Sequence, residues 1–190
     1  MCASGTFVPA PNKHFIDAAL LSNGELPISI RFSVGGASPS SDEKVSGTRV
    51  MDIQIKLPNG SLHTFTPSHP HTLTGINYPV FAGKIPEHFL GFLSTSLPDE
   101  NGKADPAKTM AFNQKDPSVL ANVMWNQTAK TPAPYATTAF FGIHTLYFEQ
   151  PNGQKTKFRG GIQPNLGVKT LEKEEAIDMP TEFLADTFSQ

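Results

Sequence analysis

The chain has 190 residues, enough for one domain with a real core, and no apolar run approaches membrane-spanning length. Fifteen basic against 17 acidic residues leave a net charge of −2, which excludes the electrostatic footprint of a nucleic-acid or acidic-membrane binder. Cys2 is the single cysteine, so an internal disulfide and a cysteine-based metal cluster are excluded too.

Seventeen Pro and 15 Gly favour short elements joined by turns. The start, Met1-Cys2-Ala3-Ser4-Gly5, lacks the basic head and apolar stretch of a signal peptide, so the chain reads as soluble, with its compartment open between cytoplasm and periplasm. Ser4 to Val8 fits a short strand, and Asn12 can cap a short helix running through Leu21. Residues 27–36 form the segment around which the other elements are arranged. Ile28, Ile30, Phe32 and Val34 alternate there with Ser29, Arg31 and Ser33, the period of a strand with one buried face. Its second face is either a solvated outer surface or an anion site, since Arg31 offers a planar fork of donors suited to a carboxylate and Ser33 points to the same side. Residues 37–44 read as a loop. Met51, Ile53, Ile55 and Leu57 alternate with Asp52, Gln54 and Lys56, and Pro58-Asn59-Gly60 turns the chain into a partner strand over residues 61–66. His63, His69 and His71 invite a metal reading, but no carboxylate or cysteine stands at supporting spacing, so no metal site is assigned.

Pro86 sits near the first turn of a helix whose Phe89, Phe92 and Leu93 share a face with Ile85, a pattern of core packing. Asp105-Pro106 and Asp116-Pro117 each pair an N-cap with a proline at the first helical position, so two short helices are expected there, the second ending at Trp125. Residues 131–138 are extended, and residues 139–150 and 155–163 flank Pro151-Asn152-Gly153 as a second hairpin. The tail after Gly167 is helical and acidic. The sum is an α+β fold, an antiparallel β-barrel with inserted helices, in a single domain over residues 1–190.

Several strings in order carry a resemblance over nearly the whole chain: Ile30-Arg31-Phe32-Ser33, the Arg49 strand, Gly75-Ile76-Asn77-Tyr78-Pro79-Val80-Phe81, Pro86-Glu87-His88-Phe89-Leu90, Asp105-Pro106-Ala107-Lys108, Tyr135-Ala136-Thr137-Thr138, Phe141-Gly142-Ile143-His144 and Phe183-Leu184-Ala185-Asp186. In these the chain resembles the catalase superfamily, most closely the small catalase-related haem peroxidases. The resemblance implies haem b, with hydrogen peroxide or an organic peroxide and a small reductant as partners, in a protein compatible with homo-oligomers. It places Arg31 at the arginine that binds a haem propionate and Ser33 at the serine that orients a distal histidine. Phe81 falls at a phenylalanine of the distal haem face, Phe89 at one in the peroxide channel, and His144 at a histidine supporting the proximal side. Phe81, Phe89 and His144 also fit plain packing positions.

Departures from the family pattern are equally specific. No histidine here stands in a His-x-Lys-Gly segment. The family's axial tyrosinate comes four residues after an arginine, whereas Tyr78, Tyr135 and Tyr147 have Thr74, Thr131 and Ile143 at that spacing. Anchoring on Pro79-Val80-Phe81 puts Ile76 at the distal asparagine, with Asn77 one residue beyond. Peroxide cleavage needs a proton-transferring base and an anionic axial ligand. The chain therefore reads as a catalase-like domain incomplete at both ends, belonging to a peroxidase. The alternatives are a non-catalytic haem- or lipid-binding barrel, a relative acting on lipid hydroperoxides, and a remnant without ligand.

Overall fold

A computed structural model of the protein describes residues 1–10, 19–35, 43–44, 47–58, 71–95, 97–98, 100, 103, 105–115, 117–150, 152–180 and 183–186. The chain divides into two compact units, one of Met1–Asn77 with Thr131–Gln190 and one of Tyr78–Lys130.

The first unit is built on the alternating segments. In chain order it holds β1 (Cys2–Phe7), α1 (Ala19–Ser22), β2 (Leu26–Val34), β3 (Arg49–Ile55) and β4 (His71–Ile76). The second unit then supplies α2 (Pro86–Thr95), α3 (Pro106–Lys115) and α4 (Pro117–Thr128). Back in the first unit come β5 (Thr131–Pro132), a 3-10 turn (Tyr135–Thr137), β6 (Phe140–Phe141), β7 (Leu146–Glu149), β8 (Lys155–Phe158), β9 (Gly161–Ile162), β10 (Thr170–Leu171), α5 (Lys173–Asp178) and α6 (Phe183–Asp186).

Six strands form one antiparallel sheet in the order β1-β2-β3-β4-β6-β9. Its outer strands do not pair with each other, so the expected closed barrel is corrected to an open half-barrel among the described residues. The expected strand over residues 61–66 and most of the helix from Asn12 lie outside the described residues. The two long strands expected around Pro151-Asn152-Gly153 are each broken. Their outer parts, β6 and β9, join the large sheet, while β7 and β8 make a separate ribbon. At the break the Gly142 amide donates to the Gly160 carbonyl at 2.9 Å. Gly153 closes the ribbon with φ 81°, a conformation that favours glycine.

Register assigns every sheet residue to a face. One face carries Ile30 and Phe32 of β2, Met51 and Ile53 of β3, and Phe140 of β6, and it is the buried one. Phe183 and Leu184 of α6 and Tyr135 of the 3-10 turn complete this core; Phe32 stacks on Tyr135 with ring centroids 4.8 Å apart. Full burial of each such apolar side chain contributes about 1.5–3 kcal/mol. Leu20, Leu26, Ile55 and Leu57 form a second cluster.

In the second unit, Asp105 caps α3 as expected: its Oδ1 accepts from the Ala107 amide at 2.9 Å. Helix α4 continues three residues past Trp125, to Thr128. The expected core face of α2 contains no fully buried residue, and Ile85 and Leu93 are exposed.

Candidate functional site

The second face of the sheet is written by the other half of the alternation. Ser29, Arg31 and Ser33 of β2 lie opposite Gln54, Asp52 and Val50 of β3, and Val50, Asp52 and Gln54 lie opposite Ile76, Thr74 and Thr72 of β4. Cys2 of β1 extends the Arg31 row, and Phe141 of β6 extends the Ile76 row. Two adjoining rows result: a polar one (Cys2, Arg31, Asp52, Thr74) and one that runs from Ser33 into apolar Val50, Ile76 and Phe141.

Arg31 does not stand alone on this face. Its Nη2 and Nε approach Asp52 Oδ2 at 3.0 and 3.1 Å. The Thr74 hydroxyl donates to Asp52 Oδ1 at 2.7 Å. The Arg31 side chain is 64% exposed and that of Asp52 19%, so solvent screens the pair and it contributes about 0–1 kcal/mol to stability. Its importance is orientation.

Ser33 is half-buried, one step along the same face. Asn77 directly succeeds β4, and its side-chain amide is engaged with backbone: Oδ1 accepts from the Arg49 amide at 2.8 Å, and Nδ2 donates to the Gly47 carbonyl at 3.2 Å. The Asn77 backbone amide in turn donates to the Arg49 carbonyl at 3.1 Å, which extends the β3–β4 ladder by one residue. Among the second unit's residues, Phe81 and Phe89 meet each other with centroids 5.1 Å apart. His144 is exposed in the bend between β6 and β7 rather than packed on a strand. The structure thus brings Arg31 together with Ser33 and Phe81 with Phe89, while Asn77 serves the sheet.

The buried face holds a second polar group that pattern reading missed. Arg49 is 1% exposed, and its Nη2 donates to the Glu43 carbonyl. The Glu43 carboxylate accepts from the Leu184 amide at 2.7 Å, so one residue joins Arg49 to α6. Burial pushes the Arg49 guanidinium pKa down, opposed by Tyr135 and Glu43. Burial also pushes the Tyr135 phenol up, helped by Glu43 and opposed by Arg49. A charged residue at an apolar-phase position of a strand, as Arg49 is ahead of Met51, was the available signal. For Asp52 the signal was its polar phase, but only strand register pairs it with Arg31.

Haem b is an apolar disc with two carboxylates on one edge. The Arg31 face offers some of those parts: an exposed guanidinium for the carboxylate edge beside half-buried Val50 and Phe141 for the disc, while Ile76 between them is itself buried. The described strands place no tyrosine or histidine on this face to ligate iron, and Tyr135 packs on the opposite face against Phe32.

The fold is catalase-like. It superposes on catalase A from Saccharomyces cerevisiae with a TM-score of 0.78 at 21% identity, covering 99% of this chain and 39% of that one. A bacterial catalase gives a TM-score of 0.79 at 17% identity, with 99% and 36% covered. The catalase family model matches residues 1–185, and the chain belongs to the catalase family. Among individual relatives it is 30% identical over 185 residues to a catalase-related peroxidase of Synechococcus elongatus, covering 96% of this chain and 52% of that protein. A catalase-related peroxidase of Mycolicibacterium paratuberculosis is 25% identical over 184 residues, covering 96% of this chain and 55% of its own length. The chain spans about half the length of these two relatives.

Proposed function

We propose that this chain is the ligand-holding part of a haem b-dependent peroxidase that acts on hydrogen peroxide or an organic peroxide in antioxidant defence, with a small reductant. Membership of a peroxide-acting family supports the reaction class. The observation that carries the reading to this chain is the sheet face on which exposed Arg31 and half-buried Ser33 adjoin half-buried Val50 and Phe141. Arg31 holds a propionate through its donor fork, Val50 and Phe141 cover part of the macrocycle, and Ser33 places a hydroxyl beside them. Phe81 and Phe89, packed on each other within the second unit, keep the roles that the family resemblance implies for them. His144 stays a supporting position.

When bound, haem supplies the iron on which a peroxide O–O bond is split. That reaction also needs a base within reach of the peroxide, generally worth ~10²–10⁴ in rate. No histidine of these 190 residues stands in a His-x-Lys-Gly segment, and the resemblance puts Ile76 at the distal asparagine with Asn77 one residue beyond. The chain by itself therefore binds haem without turning peroxide over.

Titrating the purified 190-residue chain with haemin tests both halves of this reading. The Soret band should shift on uptake, and Arg31→Ala should weaken uptake by about tenfold, because it leaves the Asp52 carboxylate unopposed beside the propionate. An oxygen electrode should then record no peroxide decomposition above that of free haemin. No uptake ends the haem reading, and rapid oxygen release ends the binding-only reading of the isolated chain.

A further inference from the structure

Arg31 presents two edges on which a carboxylate can sit, Nε–Nη2 and Nη1–Nη2. The first is taken. Asp52 Oδ2 accepts from Nε at 3.1 Å and lies 3.0 Å from Nη2, while Thr74 holds Oδ1 at 2.7 Å. The three residues are one straight row across β2, β3 and β4, so strand register fixes the arrangement. The Arg31 side chain is 64% exposed, so a ligand has access to the guanidinium beyond the edge that Asp52 occupies.

We propose that Asp52 is the specificity-determining residue of this face. It occupies one edge of Arg31 and at the same time cancels much of its charge. A ligand carboxylate on the other edge lies well within a Debye length of Asp52. Repulsion from Asp52 is then of the same order as attraction to Arg31, because both act at similar distances in the same dielectric. The face consequently distinguishes a carboxylate from its uncharged ester only weakly, and it takes an amphipathic ligand mainly through Val50 and Phe141, the half-buried apolar residues beside Arg31. The proposal rests on reading Arg31 as the holder of a ligand carboxylate.

Asp52→Asn isolates the charge. It keeps the shape, and the Thr74 hydroxyl can accept from an amide as readily as it donates to a carboxylate. The probes are metal-free protoporphyrin IX and its dimethyl ester, titrated by fluorescence at low salt against the natural chain, Asp52→Asn, Arg31→Ala and the double variant. The ester reports whether each variant keeps an intact face. Asp52→Asn should tighten diacid binding about tenfold relative to the ester, a gain that shrinks in about 0.5 M salt. The gain should vanish when Arg31→Ala is added. Equal diacid-to-ester selectivity with and without Asp52 overturns the proposal. Should neither porphyrin bind any of the proteins, the haem reading falls and benzoate decides the role of Asp52. It should shift the Arg31 Nε–H resonance in Asp52→Asn at concentrations that leave the natural chain unchanged, and equal shifts in both overturn the proposal.

Discussion

Arg49 brings a full guanidinium into the buried side of the sheet, where 1% of the residue meets solvent. Its tie to the Glu43 carbonyl, and the tie of the Glu43 carboxylate to the Leu184 amide, make the group a connector between β3 and α6. Removing the guanidinium strips the Glu43 carbonyl of its donor and leaves a buried void, a loss of about 2–5 kcal/mol. Arg49→Ala should show it as a large drop in the urea midpoint of unfolding; a drop under about 1 kcal/mol would mean that solvent already reaches the cluster. Tyr135 answers to pH. Burial raises its folded pKa above the ordinary value of 10.0, so the folded chain keeps a proton that the unfolded chain gives up. Its contribution is whole below that value and drains away as pH rises through the folded pKa. Urea unfolding of the natural chain and Tyr135→Phe from about pH 8 to 11 should show the natural chain losing ground above about pH 10. A difference constant across that range would contradict the burial of the phenol. At this scale Arg31 was legible, because a guanidinium between two hydroxyls on the polar phase of a strand is conspicuous. Its partner was not: Asp52 is 21 residues away in sequence and joins it through register, which no local pattern contains.

Among the elements, local chemistry was read well wherever it acts locally. The strands of alternating phase, the Asp105 cap and the turn at Asn152-Gly153 of the β7–β8 ribbon formed as their residues dictate. The breaks were not legible. Residues 139–150 read as one strand, yet β6 pairs with β4 and β9 while β7 pairs with β8, a change of partner decided by the whole sheet. The end of β2 has a local cause with a distant partner. The Gly35 amide donates to the Thr48 carbonyl at 2.7 Å, and a Cβ on Gly35 would lie 2.6 Å from the Thr48 Cβ. Backbone must move to admit it, so Gly35→Ala should cost about 1–3 kcal/mol by overpacking. Thr48→Gly removes the opposing atoms, and the double variant should recover part of that loss in a double-mutant cycle. Additive losses would place the strain elsewhere.

Considered whole, the chain divides its labour by face and by unit. The sheet of the first unit buries one face under β10, α5 and α6 and leaves Arg31 exposed on the other. That division rests on α6, a helix of four residues that cannot be stable alone and is held by what it covers. Phe183 and Leu184 are 2% and 0% exposed and reach Phe32, Met51, Tyr135 and Phe140, residues from three separate stretches of the chain. Leu184→Ala should therefore act far beyond its own helix, removing about 2–5 kcal/mol as transfer and cavity terms combine. Hydrogen exchange can locate the effect. If α6 closes the core of the first unit, amides of β2, β3 and β4 should lose protection together, because their shared core opens as one cooperative element. If protection falls in α6 alone, the segment is a superficial strap, and the stability of the Arg31 face has to come from the strand ladder itself.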